Sequence, residues 1–119
     1  MSIILKYIGG KKGKMWEIYE PINIKLSDGS YLEIPKGFST DLSTVPKSLW
    51  GVLPPFGNFL LAALVHDYLY VTKDKRGRKF ADKEMLIISN ANNKNKVDNY
   101  FRYYAVRLFG GLYWNDIIK

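Results

Sequence analysis

The chain has 119 residues, 47% hydrophobic, 15% aromatic and 24% charged, a balance that suits one compact domain and argues against a disordered tail protein. Its 18 basic and 11 acidic residues leave a net charge of +7. With no cysteine and one histidine, His66, it excludes a disulfide framework, a zinc finger, a thiol nucleophile, an iron–sulfur site and any centre needing two imidazoles from one chain.

The opening stretch MSIILKYIGGKKGK has a short apolar run broken by Lys6, with further basic residues after it, the reverse order of a secretory signal. Runs rich in Ile, Tyr and Trp then predict strands at Ile3–Ile8, Met15–Tyr19, Ile22–Leu26 and Tyr31–Ile34. Gly9-Gly10, Glu20-Pro21 and Ser27-Asp28-Gly29-Ser30 punctuate them, and Asp28-Gly29 suits a hairpin turn with positive φ. Residues 1–35 therefore read as a β-meander or a pair of hairpins.

From Pro35 to Pro46 the chain is too polar for a core strand and too β-branched for a helix, so it reads as a loop carrying hydrogen-bonding side chains. Pro46 suits the first turn of a short helix to Leu53, ended by Pro54-Pro55. Three main helices follow. The first runs from an Asn58 N-cap to about Thr72, and Phe59–Val65 is apolar almost all round, which predicts a central buried helix. That run is far below the ~20 residues that span a bilayer, so no transmembrane segment is expected. The second helix spans about Phe80–Asn90 and the third about Lys96–Phe109, stopped by Gly110-Gly111. In the third, Val97, Tyr100, Phe101, Tyr104 and Leu108 fall on one face, which predicts its core side and leaves Tyr103 and Tyr113 as surplus, exposed aromatics. The whole is a single α+β domain over residues 1–119: a strand-rich part to residue 35, a loop with a short helix over 36–57, and a helical part from 58.

Chemistry concentrates at His66-Asp67-Tyr68-Leu69-Tyr70, where ionisable side chains follow a run of core residues. A buried carboxylate or imidazolium without partners is costly, so these groups need partners or a cation. His66 and Tyr70 share a helix face, and Asp67 is turned from His66 by about 100°. Asp82, among Phe80, Ala81 and Met85, belongs to the inward face of the second helix. There it could hold His66 in one tautomer, leaving His66 to take a proton from water or a hydroxyl. Asp67 and Asp41 are hard oxygen ligands suited to Ca²⁺ or Mg²⁺, and one imidazole without a thiol argues against zinc or copper. Each group also has a plain structural reading. His66 and Asp67 can close a core hydrogen-bond network with a salt bridge, and Asp41 can bond its own turn. The basic run Lys73, Lys75, Arg76, Arg78 and Lys79 would follow the His-Asp pair, either as an anion-facing loop or as a solvated helix–helix turn.

The ordered stretches Gly37-Phe38-Ser39-Thr40-Asp41-Leu42-Ser43-Thr44-Val45-Pro46, Ala63-Leu64-Val65-His66-Asp67-Tyr68-Leu69-Tyr70 and Ala81-Asp82 resemble a small phage- and prophage-encoded family, the domain of unknown function numbered 1353. That resemblance covers roughly Gly37 to Phe109 and implies a phage or prophage origin, a place in the host cytoplasm or the phage particle, and a phage or host protein as partner. His66-Asp67-x-x-Tyr70 with a later helical Asp82 is also similar to the secreted phospholipase A2 pattern. That similarity implies His66 as the water-activating base, Asp82 as its partner, Tyr70 as their buttress, Asp67 as a calcium ligand and Asp41 as a second one. The phospholipases are disulfide-stapled, have a glycine-rich calcium loop and do not open with a β-meander, and the chain departs from them in all three respects. Two functions stay open: a virion, assembly or host-interaction component fixed by a His/Asp cluster, or a metal-assisted hydrolase of phosphoesters or carboxylic esters. The +7 charge is compatible with anionic lipid, nucleic acid or simple solubility.

Overall fold

A computed structural model describes residues 3–9, 16–42, 57–92 and 95–115. They form antiparallel strands followed by helices, an α+β fold, in two compact units, Met1–Asp41 and Leu42–Lys119.

The first unit holds β1 (Leu5–Tyr7), β2 (Trp16–Ile18), β3 (Ile22–Lys25), β4 (Tyr31–Ile34) and β5 (Ser39–Thr40). Strands β3 and β4 form the hairpin that Asp28-Gly29 predicts, in register Ile22↔Ile34 and Lys25↔Tyr31. Gly29 takes φ 88°, and Asp28 Oδ1 accepts from the Ser30 amide at 3.0 Å and its hydroxyl at 2.6 Å. Ile22, Leu26 and Ile34 are buried while Asn23, Lys25 and Glu33 face water, the period-2 pattern of a half-buried hairpin. A second sheet has the order β1-β2-β5, antiparallel throughout. Its third strand lies inside the segment expected as loop. Ser39 and Thr40 pair with Glu17 and Trp16, so backbone bonding to an open edge overrides a polar side-chain pattern.

The second unit has a 3₁₀ turn (Gly57–Phe59) leading into α1 (Leu60–Val71), then α2 (Arg78–Asn92) and α3 (Lys96–Trp114). Asn58 is not the N-cap of α1. The 3₁₀ turn takes up that position, and the cap residue is Phe59, with no side-chain cap. The expected short helix from Pro46 to Leu53 lies outside the described residues. Ala62, Ala63, Leu64, Val65 and Leu69 of α1 are all buried, as are Ala81 and Met85 of α2, the main body of this core. Helix α1 ends in a Schellman motif: the Asp74 amide bonds Leu69 O at 3.1 Å and the Lys73 amide bonds Tyr70 O at 3.1 Å. Lys73 stands at φ 49°, where glycine is usual, and Gly77 at φ 95° completes the tight return to α2. Asn95 caps α3, accepting from the Asp98 amide at 3.2 Å and donating to the Asp98 carboxylate at 2.9 Å. Among the described residues no helix is long and apolar enough to cross a membrane.

Helix α3 departs from expectation twice. It continues through Gly110-Gly111 to Trp114. Gly110 is there for close approach, because a Cβ at this point would strike the Tyr70 hydroxyl and come within 3.2 Å of the Arg78 guanidinium. The buried face is also the opposite of the one expected. Asn99, Arg102, Val106 and Gly110 face inward, whereas Val97, Tyr100, Phe101, Tyr104 and Leu108 are exposed. Tyr103 and Tyr113, expected to be the exposed pair, are only half-buried. Hydrophobic periodicity locates a face but not what covers it, and here polar partners hold the other side. Arg102 lays its guanidinium 4.2 Å from the centre of the Phe59 ring, and Asn99 donates to Asn90 at 3.0 Å.

The two glycines make opposite predictions. Gly110→Ala should lower stability by about 2 kcal/mol through overpacking. Gly111→Ala, whose Cβ would meet only ordinary contacts at 3.9 Å, should raise it by about 0.5–1 kcal/mol. Urea denaturation of both variants checks this, and equal effects would dismiss the close-approach account.

Candidate functional site

The site is built around one carboxylate. Asp82 is fully buried on α2, and four donors from three helices converge on it. Oδ1 accepts from His66 Nε2 at 2.7 Å and from the Tyr70 hydroxyl at 2.5 Å, both from α1 and one turn apart. Oδ2 accepts from Arg107 of α3 at 2.7 Å and from Arg78, one turn back on α2, at 3.4 Å. Because α2 begins at Arg78 rather than near Phe80, Arg78 sits at the i, i+4 spacing from Asp82. Arg78 also donates to two α3 carbonyls, Val106 O at 2.9 Å and Arg107 O at 3.3 Å. It thereby stitches the start of α2 to the C-terminal half of α3. The His66 and Tyr70 rings stack at 4.1 Å between centroids, and Tyr70 meets Trp114 edge-on at 5.2 Å.

Electrostatics fix the protons. Burial pushes the Asp82 carboxyl up, but the hydrogen bonds from His66, Tyr70 and Arg107 and the charge of His66 outweigh it and leave it below the ordinary carboxylate value. Asp82 is thus ionised and can only accept, so His66 Nε2 carries the proton it donates and a neutral His66 keeps its lone pair on Nδ1. Burial, followed by the bond to Asp82 and its charge, pushes the Tyr70 hydroxyl well above its usual range and keeps it a donor.

His66, Asp82 and Tyr70, singled out in the sequence, are therefore brought together. Asp67 is buried on the adjoining face of α1. Asp41 belongs to the first unit and is half-buried. Among the described residues, no group of three or more His, Asp or Glu side chains is placed to hold a metal ion. The roughly four acceptor positions of Asp82 are taken by four protein donors. Asp82 itself therefore has no acceptor position left for a Ca²⁺ or Mg²⁺ ion.

The basic run is divided among several tasks. Lys73 donates to the Trp114 carbonyl, with its ammonium 5.7 Å from the Trp114 ring centre. Arg76 grips Asp74 with Nε at 2.8 Å and a second guanidinium nitrogen at 2.9 Å, which holds the Asp74 carboxyl below its usual value, and it lies over the Phe80 ring. Arg78 serves Asp82, and Lys75 and Lys79 stay exposed. Arg107 and Gly110 are the site residues that the sequence reading passed over. Arg78 was readable as an i, i+4 partner of Asp82, whereas Arg107 lies 25 positions away and needs the true register of α3.

Antiparallel strands followed by three helices tied by a buried His–Tyr–Asp–Arg network define an α+β protein with a polar, rather than apolar, inter-helix joint. The chain belongs to the family described as "Protein of unknown function (DUF1353)", whose model matches residues 16–106. No curated protein and no solved structure gives a match.

Asp82→Asn should cost about 3–5 kcal/mol, because it leaves two guanidinium groups facing a lost charge. The folded-state value of Asp82 lies below the ordinary ~3.9, so its stabilisation is complete above that value and is lost as pH falls through the lowered one. Urea titrations from pH 7 to pH 3 should show the parent losing more stability than Asp82→Asn. Parallel profiles would contradict the ionised-carboxylate account.

Proposed function

We propose that this protein is a phage- or prophage-encoded interaction component, a virion, assembly or host-interaction protein, whose His66/Asp82 cluster locks its helices rather than performing chemistry. The observation that carries this reading is the closure of the cluster: Asp82 is fully buried, His66 is 2% exposed, and the carboxylate is saturated by protein donors. The phage origin in this reading follows the resemblance of its motifs. The outward apolar face of α3 gives such a protein a surface to use.

A second reading is favoured by one specific geometry. Asp82 accepts from His66 Nε2 and so favours the tautomer that a histidine acting as general base through Nδ1 requires. On that reading His66 would take a proton from water for attack on a carboxylic or phosphoric ester. Asp82 and Tyr70 would hold the ring, and Asp67 would be tested separately as a cation ligand.

His66→Ala separates the two. The locking role predicts a loss of about 2–4 kcal/mol on thermal or urea unfolding, and ester turnover by the parent no faster than the uncatalysed reaction. A His66→Ala protein of parental stability that has lost measurable ester hydrolysis would refute the lock in favour of the base. Titration calorimetry with Ca²⁺ and Mg²⁺ on the parent and on Asp67→Asn reads the cation component directly.

A further inference from the structure

Helix α3 is amphipathic with its apolar side facing outward. At 100° per residue the packed residues Asn99, Arg102, Val106 and Gly110 occupy one side. Val97, Phe101, Tyr104, Leu108 and Leu112 occupy the other, with Val97 79% and Leu108 77% exposed. Tyr100 and Phe109 widen this face to an arc of about 180°. The arc runs for about 22 Å along the helix from Val97 to Leu112 and offers on the order of 700 Å² of side-chain surface. Singly exposed apolar residues are ordinary, but a continuous face of this size marks a contact site.

We propose that this face of α3 docks on an anionic lipid surface, lying in the plane of the headgroups. The proposal rests on the interaction reading above and names its partner. Charge and shape select it. Residues 42–119 hold 12 of the 18 basic and 6 of the 11 acidic residues, so this unit carries nearly all of the net +7. Three of those acids, Asp67, Asp82 and Glu84, are buried, which leaves the outer surface more cationic still. Between Asn99 and Trp114 there is no acidic residue, while Arg107 flanks the stripe and is partly exposed. At the C-terminal end of α3, Lys73 lies against Trp114, with exposed Lys75 and Lys79 in the segment that follows it.

A second copy of this chain is a poorer occupant. Two such units repel, Asp98 in the first turn is the single acid of α3, and a two-helix seam covers a narrower stripe than this one. A bilayer interface covers the full arc, accepts Tyr and Phe at headgroup depth and is attracted to Lys and Arg beside it.

The test is flotation of the full chain with vesicles of phosphatidylcholine alone and of phosphatidylcholine with about 30% phosphatidylglycerol, at low and high salt, beside light-scattering measurement of its mass. The expected result is a monomer that floats with the anionic vesicles and partitions at least tenfold less to neutral ones or at high salt. Phe101→Ser/Leu108→Ser should reduce partitioning at least tenfold with an unchanged melting temperature, since both side chains face outward. Lys75→Glu/Lys79→Glu should weaken it several-fold and provides the same reading should the first variant fold poorly. A chain that ignores both vesicles overturns the lipid proposal. If that chain is a dimer and Phe101→Ser/Leu108→Ser makes it monomeric, the interaction reading stands with a second copy as occupant. A monomer that ignores vesicles while His66→Ala still unfolds easily removes lipid as the partner and leaves the lock intact.

Discussion

The helical unit depends on the Asp82 carboxylate. A buried charge without compensation costs several kcal/mol, so its position dictates where its partners must stand. Two donors come from α1, one from α2 itself and one from α3, which means that all three helices are placed by reference to the same two oxygens. Apolar packing between α1 and α2 supplies bulk stability, but it is non-directional. The carboxylate adds direction, because each donor satisfies it only at one angle and one distance.

This has its largest consequence for α3. An ordinary surface helix is held by its apolar stripe and shows water a polar face. Here α3 is held by Arg107 on Asp82, by Arg78 on the carbonyls of residues 106 and 107, and by Arg102 over Phe59. Gly110 lets the helix close on Tyr70 and Arg78, an approach that any larger residue would obstruct. Polar ligation thus replaces hydrophobic burial as the anchor, and the apolar stripe is released from core duty. The cluster and the exposed face are two sides of one device.

This arrangement also explains what was legible in the sequence. The hairpin at Asp28-Gly29 and the helical nature of α1, α2 and α3 rest on local signals, namely turn chemistry and apolar period, and match the structure, whereas the Asn58 cap and the Gly110-Gly111 stop do not. The pairing of His66 with Asp82 was readable because a single buried histidine needs a partner and the second helix supplies an acid among apolar neighbours. The two-residue strand β5 was not readable, since its pairing with β2 is a long-range backbone event. The inward face of α3 was misread for a deeper reason. Periodicity assigns the apolar side to the core, and that inference fails where guanidinium groups do the anchoring. Arg102 and Arg107 carry no local signal of this role, because the groups they meet, Phe59 and Asp82, lie far away in sequence.

The basic run shows the same principle from the side of charge. Read as a string, Lys73 to Lys79 is a cationic run of five basic residues with one acid, Asp74. In the fold its members separate by what each can reach: Arg76 to Asp74, Arg78 to Asp82 and Lys73 to Trp114, with Lys75 and Lys79 exposed. The planar, multi-donor guanidinium groups take the partly buried, geometrically demanding posts, while the flexible ammonium groups remain toward water. Exchanging Arg78 for lysine would therefore keep the charge and lose the joint, because one ammonium cannot meet Asp82 and two carbonyls of α3 in the plane that Arg78 occupies. The charge that matters to the fold is set by donor geometry. The charge that matters to a partner is what remains after the fold has been satisfied.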